Sequence, residues 1–258
     1  SCLTVFSRHA LTSGDAAFWK RWRDAAAKAF GWIRDTREKD GLFPPLKSAD
    51  SESVFRNWGG TDCTNLEAVE LFARAAAKFG DPLAAEAAKV AADYRAAIGR
   101  FLGRWRQAAK GKDEFFIPFA PDAANEERFA RSFYYSHPGD FARAGFLDGD
   151  ELVRVRRWMT RTGVANDEKG LYMISRDGVP GRGAEGNFWY LTWAEHHWFK
   201  AWMRVGRRDL AKQALDACLR YAVTDEYMVG ERYPRRQPVA LPVVAERIRL
   251  RAHHPDAS

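Results

Sequence analysis

Four times along this chain a helical pattern stops at a short turn built on Gly and Asp and then restarts. The turns are SGDA at Ser13 to Ala16, FGDPL at Phe79 to Leu83, LDGDEL at Leu147 to Leu152 and GRRDLA at Gly206 to Ala211. Helix, tight turn and helix at a recurring interval is the mark of a helical-hairpin repeat, in which each hairpin buries its apolar face against its neighbours. The interval is roughly 60 to 70 residues, longer than the common two-helix solenoid units, so long loops must separate the hairpins. This pattern predicts an all-α chain built as an α/α toroid of helical hairpins, about four in number.

Periodicity places the helices. The first hairpin pairs Leu3 to Leu11 with Asp15 to Lys39, where Phe18, Trp22, Ala25, Ala29 and Trp32 form the expected apolar stripe. Thr61 to Lys78 and Pro82 to Trp105 form the second, with Pro82 suited to a first helical turn. Gly139 to Phe146 and Asp150 to Arg161 form the third, and Phe188 to Val205 with Leu210 to Val223 the fourth. Every long loop joins the second helix of one hairpin to the first helix of the next. In a closed ring such loops gather at one rim, with first helices inside and second helices outside, and a cleft opens there. That placement brings Asp62, Tyr135, Trp189, Tyr190, Trp193 and Glu195 near the rim.

Composition narrows the function. The 258 residues are 46% hydrophobic and 29% charged, which predicts one soluble globular domain. Ten Trp, eight Tyr and seventeen Phe exceed what a plain helical solenoid needs, and many fall in loops, which favours a ligand with stackable faces. The net charge of +7 comes from 41 basic residues interspersed with 34 acidic ones, without a basic run or a nucleic-acid motif, so no nucleic-acid partner is expected. No apolar run reaches the length of a membrane span, and no membrane partner is expected. The start of the chain lacks signal-peptide zones and an initiator Met, so Ser1 reads as a cut end, and the compartment stays open. Cys2, Cys63 and Cys218 are odd in number and widely spaced, indicating neither a disulfide framework nor a metal site. His196 and His197 are adjacent and so point about 100° apart on a helix, and no metal-binding string accompanies them. No cofactor is expected, since phosphate-loop and nucleophile-elbow motifs are lacking.

The candidate chemistry is carboxylate chemistry. Glu195 sits within FWYLTWAEHHWFKAW, an aromatic setting that favours the neutral carboxyl and suits acid–base work, although a hydrogen-bonded core glutamate reads the same way. Asp62 follows NWGGT at the start of an inner helix, where its simplest role is an N-cap or a first-turn acid stabilised by the helix dipole. Its rival role joins Asn57, Trp58 and Asp62 as one wall of a sugar subsite, with Trp58 as stacking platform. Tyr135 and His137, in SFYYSHPGD, suit either an acid–base pair or aromatic packing, and Glu231 in TDEYMVGERY suits either an ion pair with Arg232 or a rim of the site.

The stretch from Gly170 to Tyr233, with GLYMISRDGVPG and NFWYLTWAEHHWFKAWMRVGRRDLAKQALDACLRYAVTDEYMVGERY, resembles the C-terminal part of bacterial six-hairpin glycosidases of the (α/α)6-barrel kind. GLFPP, NWGGTD, FIPFAPD and FYYSHPGDFARAGFLD extend the resemblance over most of the chain up to Tyr233. It implies a glycoside hydrolase, of the rhamnosidase-like or glucoamylase-like branch, that acts on an oligosaccharide or polysaccharide and inverts configuration with two carboxylates. By motif it implies Glu195 as the base, with Ala194 set between Trp193 and the carboxylate, and Asp62 as the first candidate acid, ahead of Asp122 and Glu67. The implied sugar contacts are Asn57, Trp58, Asp122, Tyr135, His137, Arg176, Trp189, Tyr190, Trp193 and Glu231. A non-catalytic carbohydrate-binding or scaffold toroid is the alternative. A polysaccharide lyase or sugar epimerase using Tyr135, His137 and Arg176 is a third reading.

Two departures from that family shape the domain expectation. Six hairpins at this repeat length take roughly 350 residues, so residues 1–233 are read as a partial toroid that self-associates through its open apolar edge. Residues 234–258 are read as an irregular tail. Pro, Arg and Ala make up 13 of its 25 residues and no aromatic occurs, which suggests an out-of-frame segment.

Overall fold

The computed structural model describes residues 2–44, 46–47, 55–56, 59–117, 137–161, 165–166, 171–175, 188–221 and 232–234. They are mostly helical. In chain order the elements are α1 (Cys2–Ser13), α2 (Ala16–Thr36), β1 (Leu46–Lys47), β2 (Phe55–Arg56), α3 (Gly59–Lys78), α4 (Ala84–Ala108), α5 (His137–Arg143), α6 (Gly149–Arg161), β3 (Ala165–Asn166), β4 (Leu171–Ser175), β5 (Phe188–Leu191), α7 (Thr192–Arg204), α8 (Arg208–Tyr221) and β6 (Arg232–Pro234). The chain divides into two compact units, Ser1–Lys110 with Phe119–Ala123, and Gly111–Pro118 with Ala124–Ser258.

Each predicted hairpin has its pair of helices, and the second, third and fourth are closed by a turn of one recurring chemistry. At Gly80 the φ of 67° lets the chain leave α3 left-handed, and the Asp81 N–H reaches back to the Ala76 carbonyl at 2.8 Å. The same six-to-one bond runs from Phe146 to Phe141 and from Arg207 to Trp202. In the third hairpin the break therefore falls at Gly145, ahead of the LDGDEL string. LDGDEL instead starts α6: Asp148 Oδ1 accepts from the Glu151 N–H at 2.8 Å, and Glu151 accepts from the Asp148 N–H at 3.3 Å. That is a reciprocal cap. Pro82 lies in the turn before α4, which begins at Ala84 with Leu83 as its N-cap. Asp81, not the proline, organises that start by accepting the Leu83 N–H.

In the first unit α3 packs on both α4 and α1. Eleven positions of α3 are buried, including Leu66, Val69, Phe72 and the small Ala68, Ala75 and Ala76, as a helix with neighbours on several sides requires. The expected stripe of α2 is displaced. Trp19, Ala26, Phe30 and Ile33 are buried, whereas Trp22 is 46% and Trp32 58% exposed. Both stripes have helical spacing. The aromatic partners select between them: Phe72 stacks on Trp19 and on Phe30, and Phe79 stacks on Trp19.

In the second unit α7 packs on α8 and on α5. Trp198 and Trp202, one turn apart on α7, are buried and tilt against each other at 5.4 Å, while Leu152, Val155, Trp158 and Met159 form the buried face of α6. The predicted helix from Phe188 starts four residues late. Phe188–Leu191 is a strand, paired antiparallel with β4 on one side and β6 on the other, and β3 completes a four-stranded ladder. A run of Phe, Trp, Tyr and Leu has high strand propensity, and the presence of edge partners decides it.

Candidate functional site

Asp62 lies in the first turn of α3 and is 2% exposed. Its Oδ1 accepts the Phe43 N–H at 2.8 Å and the Tyr94 hydroxyl at 2.6 Å. Three elements thus converge on one oxygen: the segment after α2, α3 itself, and α4. Tyr94 is fully buried, and the Arg37 guanidinium stands 4.7 Å from its ring centroid while donating to the Val90 carbonyl. Burial pushes the Asp62 carboxyl up to about 7, against the opposing pull of its two hydrogen bonds. The phenol of Tyr94 is driven far above its ordinary range, first by burial and then by the Asp62 charge, so it stays a hydrogen-bond donor.

Sequence placed Asp62 at a helix start correctly, and a first-turn acid is what it is. Burial, its two donors and the resulting proton affinity come from contacts 19 and 32 residues away. Glu67, the reserve acid, forms an ion pair with Arg8 of α1.

Glu195 falls within α7 and Trp193 beside it, and Trp189 and Tyr190 fall on β5, paired with Pro234 and Tyr233. Their side chains lie outside the described residues, as does that of His137, the first residue of α5. Asn57, Trp58, Asp122, Tyr135, Arg176 and Glu231 lie outside the described residues altogether.

A second polar cluster was not anticipated. Asp140 of α5, buried, accepts at Oδ1 from His197 Nδ1 of α7 at 3.1 Å, with Arg143 at 3.4 Å on the same oxygen. A buried carboxylate on Nδ1 fixes an imidazole's orientation and tautomer. Gly139 lies against the His197 backbone, where an added Cβ would stand at an ordinary contact distance of 3.5 Å, so α5 and α7 pass close here without requiring glycine, and no sequence signal marks the pair. Among the described residues no group of His, Cys, Asp and Glu is placed to hold a metal ion, and no helix is long and apolar enough to cross a membrane.

No protein-family model, curated protein or solved structure matches the chain.

Proposed function

We propose that the chain is the catalytic-type domain of a glycoside hydrolase acting on an oligosaccharide or polysaccharide by inversion. The observation that carries this reading is the Asp62 carboxyl, buried at the start of α3 against two neutral donors, Phe43 N–H and the Tyr94 hydroxyl, where burial pushes its pKa up to about 7. An inverting glycosidase needs one carboxylic acid protonated at working pH to donate to the leaving oxygen, and one ionised carboxylate to activate water. Asp62 takes the first role and Glu195 the second. The packing of successive first helices, α1 on α3 and α5 on α7, supports an inner ring of the α/α toroid kind. The aromatic and polar residues named above supply sugar contacts in this reading: Asn57, Trp58, Asp122, Tyr135, His137, Arg176, Trp189, Tyr190, Trp193 and Glu231.

The test is release of reducing ends from a panel of plant and bacterial polysaccharides and aryl glycosides, with the product anomer followed by NMR. Turnover with inversion is expected, and Glu195→Gln should lower it by about 10² to 10⁴ without loss of helical circular dichroism. Full activity in Glu195→Gln overturns the assignment of the base.

One observation favours a second reading, a carbohydrate-binding or scaffold protein without catalysis. Asp62 is 2% exposed and its Oδ1 is engaged by Phe43 and Tyr94, which suits a structural carboxyl. Sugar binding by calorimetry, with no turnover on the same panel and no effect of Glu195→Gln on affinity, selects it.

A further inference from the structure

The segment between α2 and β1 is a short stem, which Arg100 of α4 also reaches with a bond to the Asp40 carbonyl at 3.4 Å. The Glu38 N–H reaches the Leu42 carbonyl at 2.8 Å, Gly41 turns the chain at a φ of 87°, and the Leu42 N–H caps onto Asp40 Oδ1. A Cβ at Gly41 would stand 2.8 Å from that of Ala97, so the stem lies directly against α4. Leu42 and Phe43 are buried, and the Phe43 N–H is tied to Asp62. We propose that Asp62 is a proton-operated latch on this stem, closed while its carboxyl is neutral and loosened when the carboxyl ionises.

The geometry supplies both halves of the device. A carboxylate this deeply buried needs a compensating charge; the Phe43 and Tyr94 donors favour the charged form, but as neutral groups they do not outweigh the hydration that burial removes. Among the described residues Asp62 has no salt bridge. The charged and titratable groups that face its cluster are Arg37 at the end of α2, Asp40 of the stem, Tyr94 of α4, and Cys63 on α3 itself. Asp40 opposes ionisation. Arg37 favours it, yet its guanidinium is turned to the Val90 carbonyl and the Tyr94 ring, and its Nε is buried without a hydrogen-bond partner. Ionisation therefore places a charge where none is paired, and relief requires either that Arg37 turn or that water enter. The stem is the element that can yield without breaking a helix. α3 is a continuous helix of 20 residues, whereas the Phe43 amide is the stem's described hydrogen bond to it.

This inference stands apart from the hydrolase reading, since its readouts are local exchange and a carboxyl titration. Amide hydrogen exchange at Phe43, corrected for intrinsic base catalysis, is measured from about pH 4 to 8 on the intact chain. Protection should fall about tenfold per pH unit between about pH 4 and 7 and level off above, because opening is coupled to loss of one proton. Asp62→Asn, neutral at every pH, should give a flat profile. A flat wild-type profile, or the wild-type slope retained in Asp62→Asn, overturns the proposal. Where the asparagine variant does not fold, the wild type alone decides through the ¹³C carboxyl shift of Asp62. A titration sharing its midpoint with the end of the Phe43 transition supports the latch, and one complete below about pH 5 overturns it.

Discussion

Asp62 and Asp81 are buried aspartates of the same unit, and their surroundings push them in opposite directions. Burial raises Asp62 over the opposing pull of its neutral donors, whereas Asp81 accepts a forked pair of bonds from Arg23, Nε at 2.8 Å and Nη2 at 3.2 Å, plus the Leu83 N–H. The Arg23 guanidinium holds the Asp81 carboxyl below the usual range. A carboxyl lowered in the folded state adds stability that is present above its unfolded pKa and lost as pH falls through the folded one. Asp81→Asn should therefore cost about 2 kcal/mol at neutral pH, with the gap to wild type closing below about pH 4. Urea denaturation at pH 7 and pH 3 checks both the size and the sign. Both aspartates are visible in the sequence as residues beside a Gly turn or a helix start. Which one is paired with a cation is not, because Arg23 lies 58 residues from Asp81.

At the scale of elements, local chemistry sets where helices begin and long-range contacts set which face they bury. Asp15 caps α2 through Oδ1, which accepts from the Ala17 and Phe18 N–H groups at 2.8 and 3.0 Å. Asp15→Ala should lower the melting stability of the chain by about 1 kcal/mol, while Asp15→Ser should restore most of it. Thermal denaturation followed by circular dichroism reads both. The cap was legible because its donors lie two and three residues away. The buried stripe of α2 was not: the alternation of Ala, Phe and Trp between positions 16 and 33 supports two faces equally, and stacking on Phe72 and Phe79 selects one. The strand at Phe188–Leu191 follows the same rule, since an aromatic run accepts either state until a neighbouring strand offers hydrogen bonds.

For the whole molecule, the exposed apolar residues bear on association. Val5, Trp22 and Trp32 of the first two helices, and Met203, Leu215 and Leu219 of α7 and α8, are each at least 46% exposed. We propose that these exposed apolar residues, on each unit separately, support self-association. Sedimentation velocity across a hundredfold range of concentration should show a coefficient that rises with concentration, and Trp22→Glu or Leu219→Glu should hold the species at monomer. A constant monomer in the wild type overturns it.

The helix pairs, the Gly turns at Gly14, Gly80 and Gly206 and the helical class were determined by the sequence alone, because each rests on signals within one turn or one helical period: apolar spacing, a left-handed glycine, a capping aspartate; the third turn, expected in LDGDEL, falls instead at Gly145. The identity of the buried faces, the strand ladder, the neutral Asp62 held between Phe43 and Tyr94, and the Asp140 and His197 pair were decided only by tertiary structure. Burial and charge pairing depend on residues far apart in the chain. A carboxyl's proton affinity is therefore a property of the packed site and cannot be read from its own neighbours in sequence.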